Sequence, residues 1–139
     1  MQPTDKIALA RNYMAVWNAG QDNRLDTYAH PNISIYYSHY PQAYEGLESC
    51  RQMLLATYSF FPDLKIELLN IIPADSAVTV YWEYTGTHKA GNLFGKTATG
   101  KTVQVKGMTV LEIDGERVIK EYGVVDNLAV LTGIGALQV

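Results

Sequence analysis

The hydropathy period of this chain changes once, from helical to extended, and the change falls at Pro62-Asp63. Before that point Ile7, Ala10, Met14 and Trp17 recur at spacings of three, four and three, the stripe of one helix face. Thr4 suits its N-cap, Asp5 puts negative charge in the first turn, and Gly20 ends it. A shorter helix is expected over Asp22–Ala29, stopped by His30-Pro31, and a strand over Asn32–Ser38. A further helix over Gly46–Tyr58 turns Leu47, Cys50, Met53, Leu54 and Tyr58 inward. Beyond Pro62-Asp63 the period is two. Leu64, Ile66 and Leu68 alternate with Lys65, Glu67 and Leu69, and after a turn at Ala74-Asp75-Ser76 so do Val78, Val80, Trp82 and Tyr84 with their neighbours. A glycine-bearing loop over 89–100 precedes a long strand marked by Val103, Val105, Thr109, Leu111 and Ile113. Asp114-Gly115 makes a hairpin turn into Arg117–Val125, and the tail from Asp126 to Val139 holds a short helix before Gly133.

Helices followed by a meander of strands give an α+β fold, not an alternating βαβ one. The four strands after residue 63 and the one near residue 34 are expected to form a curved antiparallel sheet. The N-terminal helices, packed on its concave face, would enclose a cone with an interior pocket, a favoured place for ligands. No repeat or linker divides the chain, so 1–139 reads as one domain. Ten tyrosines, three phenylalanines and two tryptophans exceed what a core of this size needs and point to a lined cavity.

Net charge is −3, which leaves no basic footprint for nucleic acid. No apolar run approaches the roughly 20 residues of a membrane span. The opening Met1-Gln2-Pro3-Thr4-Asp5 has no signal-peptide character, so a cytoplasmic location is expected. A lone cysteine, Cys50, forms no internal disulfide and reads as packing. His30, His39 and His88 show none of the short metal-ligand spacings, so no metal is expected. Gly91, Gly95 and Gly100 do not have phosphate-loop spacing, and no Ser sits in a nucleophile elbow.

Asp126 is the acidic residue with the most to offer. It lies in the nearly apolar run Gly123–Leu131, where poor hydration would raise its pKa and fit it for general-base work. The alternative is an N-cap that accepts the Ala129 amide and starts the tail helix. His88 shares the alternation phase of Trp82 and Tyr84 and so is a pocket candidate, or else a strand-end His bonded to a loop carbonyl. His39 either lines the mouth or lies in a surface loop. Tyr13 and Trp17, one turn apart, read first as core. Glu83 and Glu121 are expected on the outer sheet face, held by an oligomer contact or a Lys, and Glu112 as a solvated hairpin charge. Thr, Tyr and Val on both strand phases leave much apolar surface, so a homodimer or homotetramer through the open sheet face is expected.

Several segments together resemble the SnoaL-like polyketide cyclases. They are Trp17-Asn18, Tyr44-Glu45-Gly46, Phe61-Pro62-Asp63-Leu64, the segment Thr85–Gly100, and the ending Asp114-Gly115-Glu116-Arg117-Val118-Ile119-Lys120-Glu121-Tyr122-Gly123-Val124-Val125-Asp126. The resemblance covers nearly the whole chain. It implies the cone-shaped α+β barrel of the ketosteroid isomerase-like and NTF2-like superfamily, and chemistry without metal or cofactor. The family's Glu–aromatic–Asp motif falls on Glu121, Tyr122 and Asp126, which implies Asp126 as acid/base. The hairpin after Gly115 is one residue longer than the family's, Ala98 replaces a Pro, and no His follows His88. The resemblance leaves His88 or Glu112 as the residue to assist Asp126. The implied pocket is lined by Tyr13, Trp17, His39, Trp82, Phe94 and Tyr122. The implied reaction is an aldol-type ring closure on a small apolar carbonyl compound, with isomerisation, dehydration or non-catalytic binding as alternatives.

Overall fold

The computed structural model of the chain describes residues 1–138. The elements run α1 (Pro3–Met14), a single 3-10 turn (Ala15–Trp17), α2 (Arg24–Tyr28), β1 (Ala29–Tyr37), β2 (Tyr44–Glu45) and α3 (Leu47–Phe60). After the change of period come β3 (Lys65–Pro73), β4 (Ala77–Thr87), β5 (Asn92–Leu93), β6 (Lys96–Thr97), β7 (Thr102–Asp114), β8 (Arg117–Val125) and α4 (Asn127–Gly133). The cap of α1 is Gln2, not Thr4, and its amide donates to the Asp5 carboxylate at 3.3 Å. Pro3 explains the earlier start: its missing N–H and fixed φ suit the first turn of a helix.

The main sheet has six strands in the order β2-β1-β8-β7-β4-β3. It is open and curved, and one pair departs from the antiparallel expectation, since β1 runs parallel to β8. No hairpin links these two strands. The helix α3 and the whole meander intervene, and a long crossover is what parallel pairing requires. Pro31 falls where the β1–β8 register shifts, the kind of place a strand tolerates a missing donor. The inner face packs Val78, Val80, Trp82, Val105 and Leu111 against Leu9, Ala10 and Met14 of α1 and Met53 and Leu54 of α3. Tyr58 of α3 donates its hydroxyl to the Val16 carbonyl and pins the 3-10 turn over the sheet.

One irregularity controls everything beyond it. Along β7, Glu112 and Ile113 are consecutive, yet their partners on β8 are Lys120 and Val118. Ile119 is therefore an extra residue, a bulge that resets the strand's alternation. Val118 and Glu121 both face inward, three residues apart, and Tyr122 and Val124 face out. The outer face carries two apolar rows across the sheet, Tyr36–Tyr122–Val110–Thr79–Ile72 and Val124–Met108–Tyr81. Charged Lys106, Glu83 and Glu67 form the next row. Among the described residues no helix is long and apolar enough to cross a membrane.

Candidate active site

A cavity of about 200 Å³ opens between the inner sheet face, the end of α3 and the 89–100 loop. Trp17, Tyr37, Tyr40, Trp82 and Tyr84 supply its aromatic walls, with Trp82 and Tyr84 stacked at 5.8 Å and Trp17 edge-on to Tyr37 at 5.9 Å. Phe60 at the end of α3 and Phe61 just after it close one side, and Leu93 and Phe94 reach over it from the β5–β6 hairpin. Gly107 makes room for this arrangement, because a Cβ there would overlap the Trp82 ring and the Val124 carbonyl.

Behind the wall lies a carboxyl. Glu121 is 1% exposed and accepts three hydrogen bonds. The Tyr13 hydroxyl donates to Oε1 at 2.6 Å, the Trp17 indole N–H donates to Oε2 at 2.8 Å, and the Tyr37 hydroxyl also donates to Oε2. The chain continues outward from Tyr37, whose hydroxyl is 2.7 Å from Thr109 Oγ1, which in turn accepts from Trp82 Nε1 at 2.8 Å. Indole nitrogens only donate, so the proton order is set: Trp82 to Thr109, Thr109 to Tyr37, Tyr37 to Glu121. The reverse order would leave the Thr109 proton without an acceptor. No Lys, Arg or His pairs with Glu121 among the described residues. Burial, only partly offset by the three donors, holds its pKa above the ordinary carboxylate value. Burial and the Glu121 charge push the Tyr13 and Tyr37 hydroxyls well above the phenol range, so both stay protonated.

Three cavity-lining polar side chains, His39, Tyr84 and Asn127, make no hydrogen bond to the described residues. Partial burial lowers the His39 pKa, which favours the neutral imidazole at neutral pH. Its ring stands 4.7 Å from that of Tyr40.

The structure relocates several residues expected at the site. Asp126 is exposed and lies outside the cavity, although Val125 and Asn127 on either side of it line the wall. Its Oδ1 accepts the Ala129 amide at 3.2 Å, so it is the N-cap of α4. The expectation of a poorly hydrated general base at Asp126 is corrected by the Ile119 bulge, which turns 121, 123 and 125 inward and 126 outward. The same shift places Tyr122 on the outer face and brings Glu121, expected outside, into the interior. His88 is fully buried but does not line the cavity. The Thr99 amide donates to Nδ1 at 3.3 Å, so the ring proton sits on Nε2 and is donated to the Gly91 carbonyl at 2.9 Å. Both nitrogens are spent on holding the 89–100 loop. Tyr13 lies behind the wall, bonded to Glu121, while Trp17, His39, Trp82 and Phe94 are on the cavity surface. Cys50 is buried, and its thiol is pushed up to about 12, chiefly by burial. Among the described residues no three His, Cys, Asp or Glu side chains converge as they would to hold a metal.

The residues that sequence reasoning missed are Tyr37, Thr109 and the inward Glu121. The available signal was the one-residue excess in the last hairpin, which implies a change of phase before Glu121.

Comparison with known proteins fits this architecture. The family model described as SnoaL-like polyketide cyclase matches residues 7–134. A crystal structure titled as a candidate SnoaL-like polyketide cyclase from Jannaschia sp. CCS1 is 25% identical, covers 99% of this chain and 98% of its own, and superposes with a TM-score of 0.85. TsrD from Streptomyces laurentii, 20% identical over 99% of each chain, has a TM-score of 0.86. AclR from Streptomyces galilaeus, titled as a candidate hydroxylase, is 22% identical over 99% of this chain and 100% of its own, with a TM-score of 0.82. The last two show the shared fold alone. No curated protein matches the sequence.

Proposed function

Because this chain belongs to the SnoaL-like polyketide cyclase family, we propose that it closes a ring on an apolar, carbonyl-rich substrate by an intramolecular aldol-type addition, without metal or organic cofactor. The observation that carries this reading is the aromatic cavity of about 200 Å³ with a buried carboxyl directly behind its wall. Flat rings on several sides suit a conjugated, folded chain, and His39, Tyr84 and Asn127 are the polar groups left to orient its carbonyls. Holding a carbanion against an acceptor carbonyl is an orientation effect worth roughly 7–11 kcal/mol at best.

The test is a titration with aryl β-keto esters, followed by the fluorescence of Trp17 and Trp82, with ring closure followed by NMR. Saturable quenching with closure above the buffer rate is expected. No quenching and no closure would overturn the reading. A second reading, a non-catalytic binding module, is favoured by the position of Asp126 outside the cavity. It expects quenching with the ester recovered unchanged.

A further inference from the structure

We propose that Glu121 is the proton acceptor of this site and works through the hydroxyl of Tyr37, so that this pair supplies the general base that Asp126 does not. The inference rests on the reading of the cavity as a carbonyl-compound site. Three of the five side chains bonded to Glu121 or feeding it, namely Trp17, Tyr37 and Trp82, are themselves cavity wall. Tyr37 alone joins the carboxylate to that wall through a group able both to give and to take a proton. The two indoles enforce one direction, with every donor aimed at the Glu121 carboxylate or feeding it, so the network is complete when Glu121 is ionised. A buried carboxylate with no cation has a desolvation cost that an apolar residue of similar volume would not. Such groups gather where acid–base work is done, and burial here makes the carboxylate more basic than one in water.

The step balances without any co-reactant. The C–H bond between two substrate carbonyls breaks, and its electron pair remains on the substrate as an enolate. The proton passes to Tyr37 Oη as the original Tyr37 proton moves to Glu121 Oε2, so the negative charge leaves the carboxylate and appears on the enolate. The enolate carbon then forms a C–C bond to the acceptor carbonyl, whose oxygen becomes an alkoxide. A proton returns from Glu121 through Tyr37 to that oxygen, and both side chains are restored. Glu121 touches no substrate and is a positioning and accepting group; Tyr37 is the catalytic residue.

The experiment follows deuterium exchange at the acidic carbon of an aryl β-keto ester by NMR, alongside ring closure, for the wild type, E121Q, Y37F and D126N across pH. Gln keeps the shape of Glu and can still accept from Tyr37 and Trp17, with its NH2 toward Tyr13. General-base loss typically costs 10²–10⁴-fold, so exchange by E121Q and Y37F is expected to fall by about 100-fold or more. The acidic limb of the wild-type pH profile is expected to vanish in E121Q, a change that a merely structural role would not produce, while D126N keeps the wild-type rate. Exchange without ring closure, lost in E121Q, would uphold the relay and sink the cyclase reading. Exchange by E121Q at the wild-type rate, or a D126N rate as low as expected for E121Q, would overturn the relay and leave the cyclase reading standing. No exchange above buffer by the wild type would overturn both.

Discussion

The Tyr13 hydroxyl lies 2.6 Å from Oε1 of Glu121, a bond that ties the first helix to the last strand across 108 positions of sequence. Trp17 adds a second bond from the same end of the chain to the same carboxylate. The helical layer is therefore fastened to the sheet by a polar clasp set within an apolar core.

That clasp makes stability depend on pH in a particular direction. The folded-state pKa of Glu121 is raised above the ordinary value of 4.5, so the native state binds its proton more tightly than the unfolded chain does. Its contribution is fully present below pH 4.5 and is lost as pH rises through the raised folded value. Urea denaturation of wild type and Glu121→Gln over this window is expected to show wild type losing stability relative to the variant as pH rises. A difference that is flat with pH, or has the opposite slope, contradicts the assignment.

Gly107 is predicted to tolerate no side chain. A methyl group there meets the Trp82 ring and the Val124 carbonyl, and such overpacking typically costs about 1–3 kcal/mol. Gly107→Ala is expected to lower the denaturation midpoint by that amount and to shift the Trp82 fluorescence as its bond to Thr109 breaks. An unchanged midpoint and spectrum would show that the indole has room to move.

Asp126 is predicted to behave as a cap. Asp126→Ala should cost about 0.5–2 kcal/mol, whereas Asp126→Asn, which still accepts the Ala129 amide, should cost little. Equal losses in both variants, read by urea denaturation, would count against capping.

His88 is predicted to hold the 89–100 loop closed, since both its ring nitrogens bond to that loop. Limited trypsin digestion of His88→Ala should cut faster at Lys89 or Lys96 than in wild type, with the sheet intact by circular dichroism. Unchanged cleavage would mean that the backbone bonds of His88 suffice.

The outer sheet face predicts a homodimer. Tyr36, Tyr122, Met108 and Val124 are all exposed there, and the charged row of Lys106 and Glu83 borders them. Contiguous apolar surface of this kind normally meets a partner. Light scattering is expected to give twice the chain mass for wild type and the chain mass for Met108→Lys.

Much of this protein was legible in the order of its residues. The stripe Ile7–Ala10–Met14–Trp17, the alternation from Leu64 to Tyr84 and the Asp114-Gly115 turn fix helices before strands, and hence the α+β class, because a 3.6-residue period and a two-residue period can each be buried in only one way. The aromatic surplus likewise announced a lined cavity. Which carboxyl serves that cavity was a matter of tertiary structure. Strict alternation from an inward Val118 turns Tyr122 and Asp126 in and Glu121 out, and the single bulge at Ile119 reverses all three. A strand of period two loses its phase with one added residue, and only pairing with β7 shows where that residue sits. His88 makes the same point through packing: its phase along β4 pointed to the cavity, but bonds to Gly91 and Thr99, residues on a loop without periodicity, decided where its ring is held.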